Sequence, residues 1–73
     1  MSGKRDQAIA DILEVLRIWG NEHLFGPSFR DIALLTNLPL GTCHELVRQL
    51  RDDGLLTFED HRARSIRLTE ENK

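Results

Sequence analysis

Apolar residues recur at steps of three and four from about Lys4 to Trp19. Ile9, Ile12, Leu13, Leu16 and Trp19 fall on one face of a helix, and Asp6, Gln7, Asp11, Glu14 and Arg17 on the other. Gly20 and Asn21 are natural stop residues, and a loop ending in Gly26-Pro27 follows. Ser28 can cap a second, short helix, with Asp31 near the positive end of its dipole. Phe29, Ile32, Ala33 and Leu35 are its expected buried side. Pro39 biases Leu38 away from helical angles, so this helix is expected to stop near Thr36-Asn37.

A third helix is predicted from Pro39 or Leu40 to Gly54, with Thr42 and Glu45 as a second candidate capping pair. At about 100° per residue, Cys43, Leu46, Val47 and Leu50 occupy one sector and belong against the first two helices. Gly41, Glu45, Arg48 and Asp52 lie opposite, flanked by Thr42, His44, Gln49 and Arg51. Leu55 to Glu59 and Ser65 to Thr69 alternate like two strands joined by a loop from Asp60 to Arg64. The tail from Glu70 to Lys73 is expected to be loose, as are Met1 to Gly3.

Helix, helix, turn, helix and basic-tipped ribbon is the layout of a three-helix winged helix-turn-helix, a mainly α fold with a small β-hairpin (α+β). The 73 residues 1–73 suit a single such domain, ordered from about residue 5 to 69. Its stability should be only about 5 kcal/mol, since a chain this short buries a modest core. Hydrophobic residues at 40% and charged residues at 30% argue against wholesale disorder. Apolar runs such as Ile32 to Leu35 are far too short to cross a bilayer, and no charged-then-apolar leader opens the chain. With a single cysteine no internal disulfide can form, which suits a cytoplasmic location.

In a winged helix the second helix of the turn motif enters the DNA major groove. Arg48 could pair bidentately with a guanine, Glu45 could accept from a cytosine amine, and Thr42 could touch a thymine methyl group or a phosphate. Gly41 would let the helix start approach closely. Equally, Glu45 and Arg48 could be an ordinary i, i+3 surface ion pair. The net charge of −2 counts against DNA, but its distribution is uneven. From His61 to Arg67 there are three arginines, Arg62, Arg64 and Arg67, and no acid. Lys4 is a further candidate phosphate contact. Asp52, Asp53, Glu59 and Asp60 lie near the same face and favour the rival reading, a winged helix that docks proteins and ignores DNA.

The stretches PSFRDIALLTNL, HELVRQLRDDGLL and RARSIRLT resemble the N-terminal DNA-binding domain of LexA-type repressors, from about Gln7 to Glu71. TNLPLGTCHELVRQLRDDGLL is more distantly similar to the recognition region of IclR-type regulators. The first resemblance implies a transcriptional repressor that occupies a double-stranded DNA operator. It implies base contacts from Gly41, Thr42, His44 and Glu45, with Arg48 one turn further along, and backbone contacts from the wing arginines Arg62 and Arg64. Arg67 and Ser28 are added as further candidate backbone contacts on the residues themselves. The family commonly carries Ser or Asn where this chain has Leu40-Gly41. Its self-cleaving C-terminal domain supplies dimerisation, so either a longer repressor or a small stand-alone regulator fits, with a homodimer on an inverted repeat as one arrangement.

Other chemistries find little support. His23, His44, His61 and Cys43 are scattered, so no metal site or cofactor is expected. No phosphate loop, nucleophile motif or carboxylate pair points to an enzyme. Cys43, Trp19 and Phe58 read as core residues, and His44 as a surface or DNA-contacting side chain.

Overall fold

The computed structural model describes residues 3–59 and 64–69. Three helices, α1 (Lys4–Glu22), α2 (Phe29–Thr36) and α3 (Leu40–Asp52), precede two strands, β1 (Leu56–Thr57) and β2 (Arg67–Leu68). The strands pair antiparallel, Leu56 opposite Leu68 and Thr57 opposite Arg67. This is a winged helix-turn-helix of the α+β class. The expected wing tip with His61 and Arg62, and the expected loose tail 70–73, lie outside the described residues, as do Met1 and Ser2.

Helix α1 buries Ala8, Ile12 and Leu16, with Ile9 and Leu13 partly covered. It continues through Gly20 and Asn21 instead of stopping there. The last turn is held by the His23 amide, which donates to the Trp19 carbonyl at 2.9 Å, and by ring contacts that no local propensity records. Trp19 packs on His23 with centroids 4.5 Å apart, and its indole N–H donates to the Phe25 carbonyl at 2.7 Å. Trp19 is therefore only partly buried, and anchors the end of α1 rather than the core.

Helix α2 begins with a reciprocal cap. The Asp31 amide donates to Ser28 Oγ at 3.0 Å, and the Ser28 amide donates to Asp31 Oδ2 at 3.1 Å. Its buried stripe is Ile32 and Ala33, with Phe29 partly covered. Leu35 is 59% exposed, contrary to expectation. Two turns bury only a narrow sector, and Leu35 lies about 100° from its centre. Asn37 ends α2 in the left-handed region at φ 60°.

Helix α3 starts at Leu40 after Pro39, with no side-chain cap, so Thr42 and Glu45 do not serve as one. Cys43, Leu46, Val47 and Leu50 are all buried to 3% exposure or less, and the Cys43 thiol donates to the Phe29 carbonyl at 3.5 Å. Burial pushes the Cys43 thiol pKa up. The helix closes as a Schellman motif: Leu55 donates to the Leu50 carbonyl at 3.0 Å, and Gly54 to that of Arg51 at 3.0 Å. Gly54 sits at φ 82°, where a side chain would be strained.

Leu56, Ile66 and Leu68 turn inward from the ribbon and complete the core. The strands are shorter than their alternation predicts because Ser65 replaces the ladder. Its hydroxyl accepts from the Glu59 amide at 2.9 Å and donates to the Glu59 carbonyl at 3.2 Å. The loop before α2 is pinned to β2. The Gly26 amide donates to the Arg64 carbonyl at 2.9 Å, and a Cβ on Gly26 would lie 2.0 Å from the Ile66 carbonyl oxygen.

Two predictions follow from this packing. Gly26→Ala should cost about 2–4 kcal/mol, because a backbone atom has to move; urea unfolding showing a loss under 0.5 kcal/mol would contradict the close approach. The Asp31 carboxyl is held below the usual carboxylate range, chiefly by the Ser28 amide and further by Arg64. A depressed folded-state pKa gives stability that is present above the unfolded pKa and is lost as pH falls through the folded one. Asp31→Asn should thus cost about 1 kcal/mol at pH 7 and progressively less below about pH 4. An equal cost in acid would reject the charge-dependent cap.

Candidate nucleic-acid interface

Because the apolar stripe of α3 is inside, its opposite face is outside. Gly41, Glu45, Arg48 and Asp52 are exposed, with Thr42 and Gln49 half-buried on one flank and His44 and Arg51 on the other. No heavy atom lies within 4 Å of a Cβ placed on Gly41, so packing does not require glycine there. Glu45 and Arg48 do not form the ion pair that their spacing allows, among the described residues. Both charged ends are free to meet a ligand.

An aromatic seam runs along the His44 flank. The His44 ring stacks on Phe29 at 4.0 Å between centroids and 14° between planes. Phe29 meets Phe58 edge-on at 5.5 Å, and the Arg51 guanidinium lies 4.3 Å from the Phe58 centroid. This chain joins the first turn of α3 to the start of α2, the end of β1 and the last turn of α3. Phe58 is accordingly half-buried at a joint rather than deep in the core, and His44 presents an edge instead of a free ring.

A second joint fixes the base of the wing. Arg64 adopts φ 58°, with Nη1 3.4 Å from Asp31 Oδ2 and its guanidinium 5.2 Å from the Phe25 centroid. It remains half-exposed, with donors to spare. Ser28 sits in the same cluster. Its amide and Oγ are engaged by Asp31, so what it can offer a phosphate is its hydroxyl proton.

The structure thus brings Gly41, Thr42, Glu45 and Arg48 onto one outward face, with His44 at its edge and Ser28 and Arg64 beyond the aromatic seam. Arg67 stands apart. It is exposed on the outer side of β2, beside the end of α1, and lines a groove with Trp19 and Phe25. Asp52 and Asp53 are exposed at the opposite end of the α3 face from Gly41, whereas Glu59, also exposed, lies beside Ser65 at the base of the wing. Lys4 is exposed at the start of α1. Phe29, Arg51 and Asp31 act as positioning residues that no local pattern in the chain marks as such. Asp31 and Arg64 are 33 positions apart, and no spacing rule links them.

Residues 26–57 match a family model described as winged helix-turn-helix DNA-binding. The matched segment contains α2, the turn, all of α3 and β1. No curated protein and no solved structure matches the chain significantly. Fold and family match together support DNA binding as the general role, and the chain is similar to winged helix-turn-helix DNA-binding domains across the segment that carries the outward α3 face.

Proposed function

We propose that the chain is a sequence-specific double-stranded DNA-binding domain of a transcriptional repressor, acting by occupying an operator. The observation that carries this is the exposed, unpaired set Gly41, Glu45 and Arg48 on the second helix of the turn motif. In this reading Arg48 takes a guanine edge, Glu45 a cytosine amine, and Thr42 a thymine methyl group or a phosphate. His44, stacked on Phe29, contacts the groove wall with its outer edge. Gly41 lets the helix start come close to the bases.

Arg64, Ser28 and Lys4 are the proposed phosphate contacts, together with Arg62, which lies outside the described residues and is proposed on its sequence position alone. Arg67 is left out because it faces the end of α1. The acids Asp52 and Asp53 confine the footprint to the N-terminal half of α3, since phosphate near them would be repelled at low salt. Two copies on an inverted repeat would place half-sites about one helical turn apart. The LexA-like ending RSIRLT supports a repressor of that type in the cytoplasm. Among the described residues, no helix is long and apolar enough to cross a membrane.

The exposed acids favour one other reading, in which the same face docks a protein. Titration of random-sequence duplex at low salt separates the two. DNA binding predicts weak association with a log–log salt slope of about −3 per protomer, and a slope about one unit smaller for Arg64→Ala. No association at about 20 mM salt would favour protein docking. On a selected site, Arg48→Ala should cost about 1–3 kcal/mol and relax one base position. Equal losses on selected and random duplex would reject Arg48 as a base reader.

A further inference from the structure

A groove of about 440 Å³ runs between the last turn of α1, the loop before α2 and the outer side of β2, away from the α3 face. That volume is within the range of small-molecule sites, about 300–1,000 Å³. Its walls are unusual for a surface furrow. Trp19, His23 and Phe25 stand ring to ring, with His23 4.5 Å from Trp19 and 5.3 Å from Phe25. Phe25 is 51% exposed and Leu24 fully so. Isolated apolar residues on a surface need no explanation, but a contiguous aromatic wall marks a binding surface.

The polar part of the lining is one-sided. Arg17 and Arg67 line the groove, and no carboxylate does, among the described residues. Arg17 is engaged by Glu14 outside the groove, whereas Arg67 has no ion pair among the described residues. Aromatic rings and one free guanidinium for a carboxylate define the complementary ligand. The Trp19 and Phe25 rings meet edge-on, 6.3 Å between centroids and 70° between planes, and form an angled wall. We propose that this groove binds a small aromatic carboxylate, its ring packed into that angle and its acid group on Arg67.

Such a ligand would reach the wing directly. The Phe25 ring that lines the groove also carries the Arg64 guanidinium, and the adjacent Gly26 amide holds the Arg64 carbonyl. A ligand that moves Phe25 would move the Arg64 guanidinium that rests on it, and with it the contact between Arg64 and Asp31. Resting on the DNA reading proposed above, this makes the groove an effector site, and any effect on DNA affinity has to be reciprocated in ligand affinity.

Trp19 is the only tryptophan and there is no tyrosine, so intrinsic emission reports this groove alone. The probes are phenylacetate, its neutral amide phenylacetamide, and the non-aromatic cyclohexylacetate. Phenylacetate should change Trp19 emission saturably in the millimolar range or below, with amide-proton shifts confined to residues 16–27 and 64–68. The amide and the cyclohexyl acid should bind about tenfold more weakly, and Arg67→Gln should abolish the preference for acid over amide. Saturation should also shift affinity for random duplex at least about threefold. The absence of saturable change, equal binding of all three probes, or shifts on α3 instead would overturn the site. Binding with an unchanged duplex affinity would overturn its coupling to the wing. A protein that binds phenylacetate but no duplex would sink the DNA reading and leave the groove standing.

Discussion

The burial of one stripe of α3 sets everything else. Leu46, Val47 and Leu50 contribute about 1.5–3 kcal/mol each by leaving water, and Cys43 completes the stripe against the Phe29 carbonyl. Sliding the helix by one residue would turn it by about 100° and exchange apolar for charged side chains on the buried side. Such an exchange is prohibitive in a domain of small total stability. The rotation of α3 is therefore fixed, and with it the outward display of Gly41, Glu45 and Arg48. The Schellman close at Gly54 then delivers Leu55 and Leu56 straight into the ribbon.

Orientation of the helix alone does not make a reading surface; the neighbouring elements need a fixed relation to it. The seam from His44 through Phe29 and Phe58 to Arg51 supplies one joint, and the cluster of Ser28, Asp31, Arg64 and Phe25 supplies another. Aromatic contacts of this kind add about 0.5–1.5 kcal/mol each beyond area burial. Both joints start at the first turn of α2. That short helix touches α3 and the base of the wing at once, which is why its reciprocal cap matters more than its length.

Much of this was legible in the chain. The period of α3 identified its four core residues, Ser28 and Asp31 marked the cap, and Asn37 and Gly54 marked the stops. These are local signals, written within a few residues of one another. Where the structure departs from these local signals, the causes are tertiary. Helix α1 outlasts Gly20 because Trp19 meets His23 and Phe25. Leu35 is exposed because α2 is too short to bury a wide face. The strands shorten because a serine hydroxyl takes over their pairing. In the candidate site, the outward α3 set could be read from helical angle alone. The placement of His44 on Phe29, of Arg64 on Asp31, and of Arg67 beside α1 depends on contacts between residues far apart in sequence.

DNA recognition as proposed requires that the outward face of α3 read bases. Selection of bound duplexes from a random pool, carried out in parallel with the unaltered chain and with Glu45→Gln, tests it most directly. A defined motif should emerge from the first, and the same motif should change at one base pair in the second, because the carboxylate proposed to accept from a cytosine amine has been replaced. An unenriched pool, or identical motifs from both proteins, would contradict the claim.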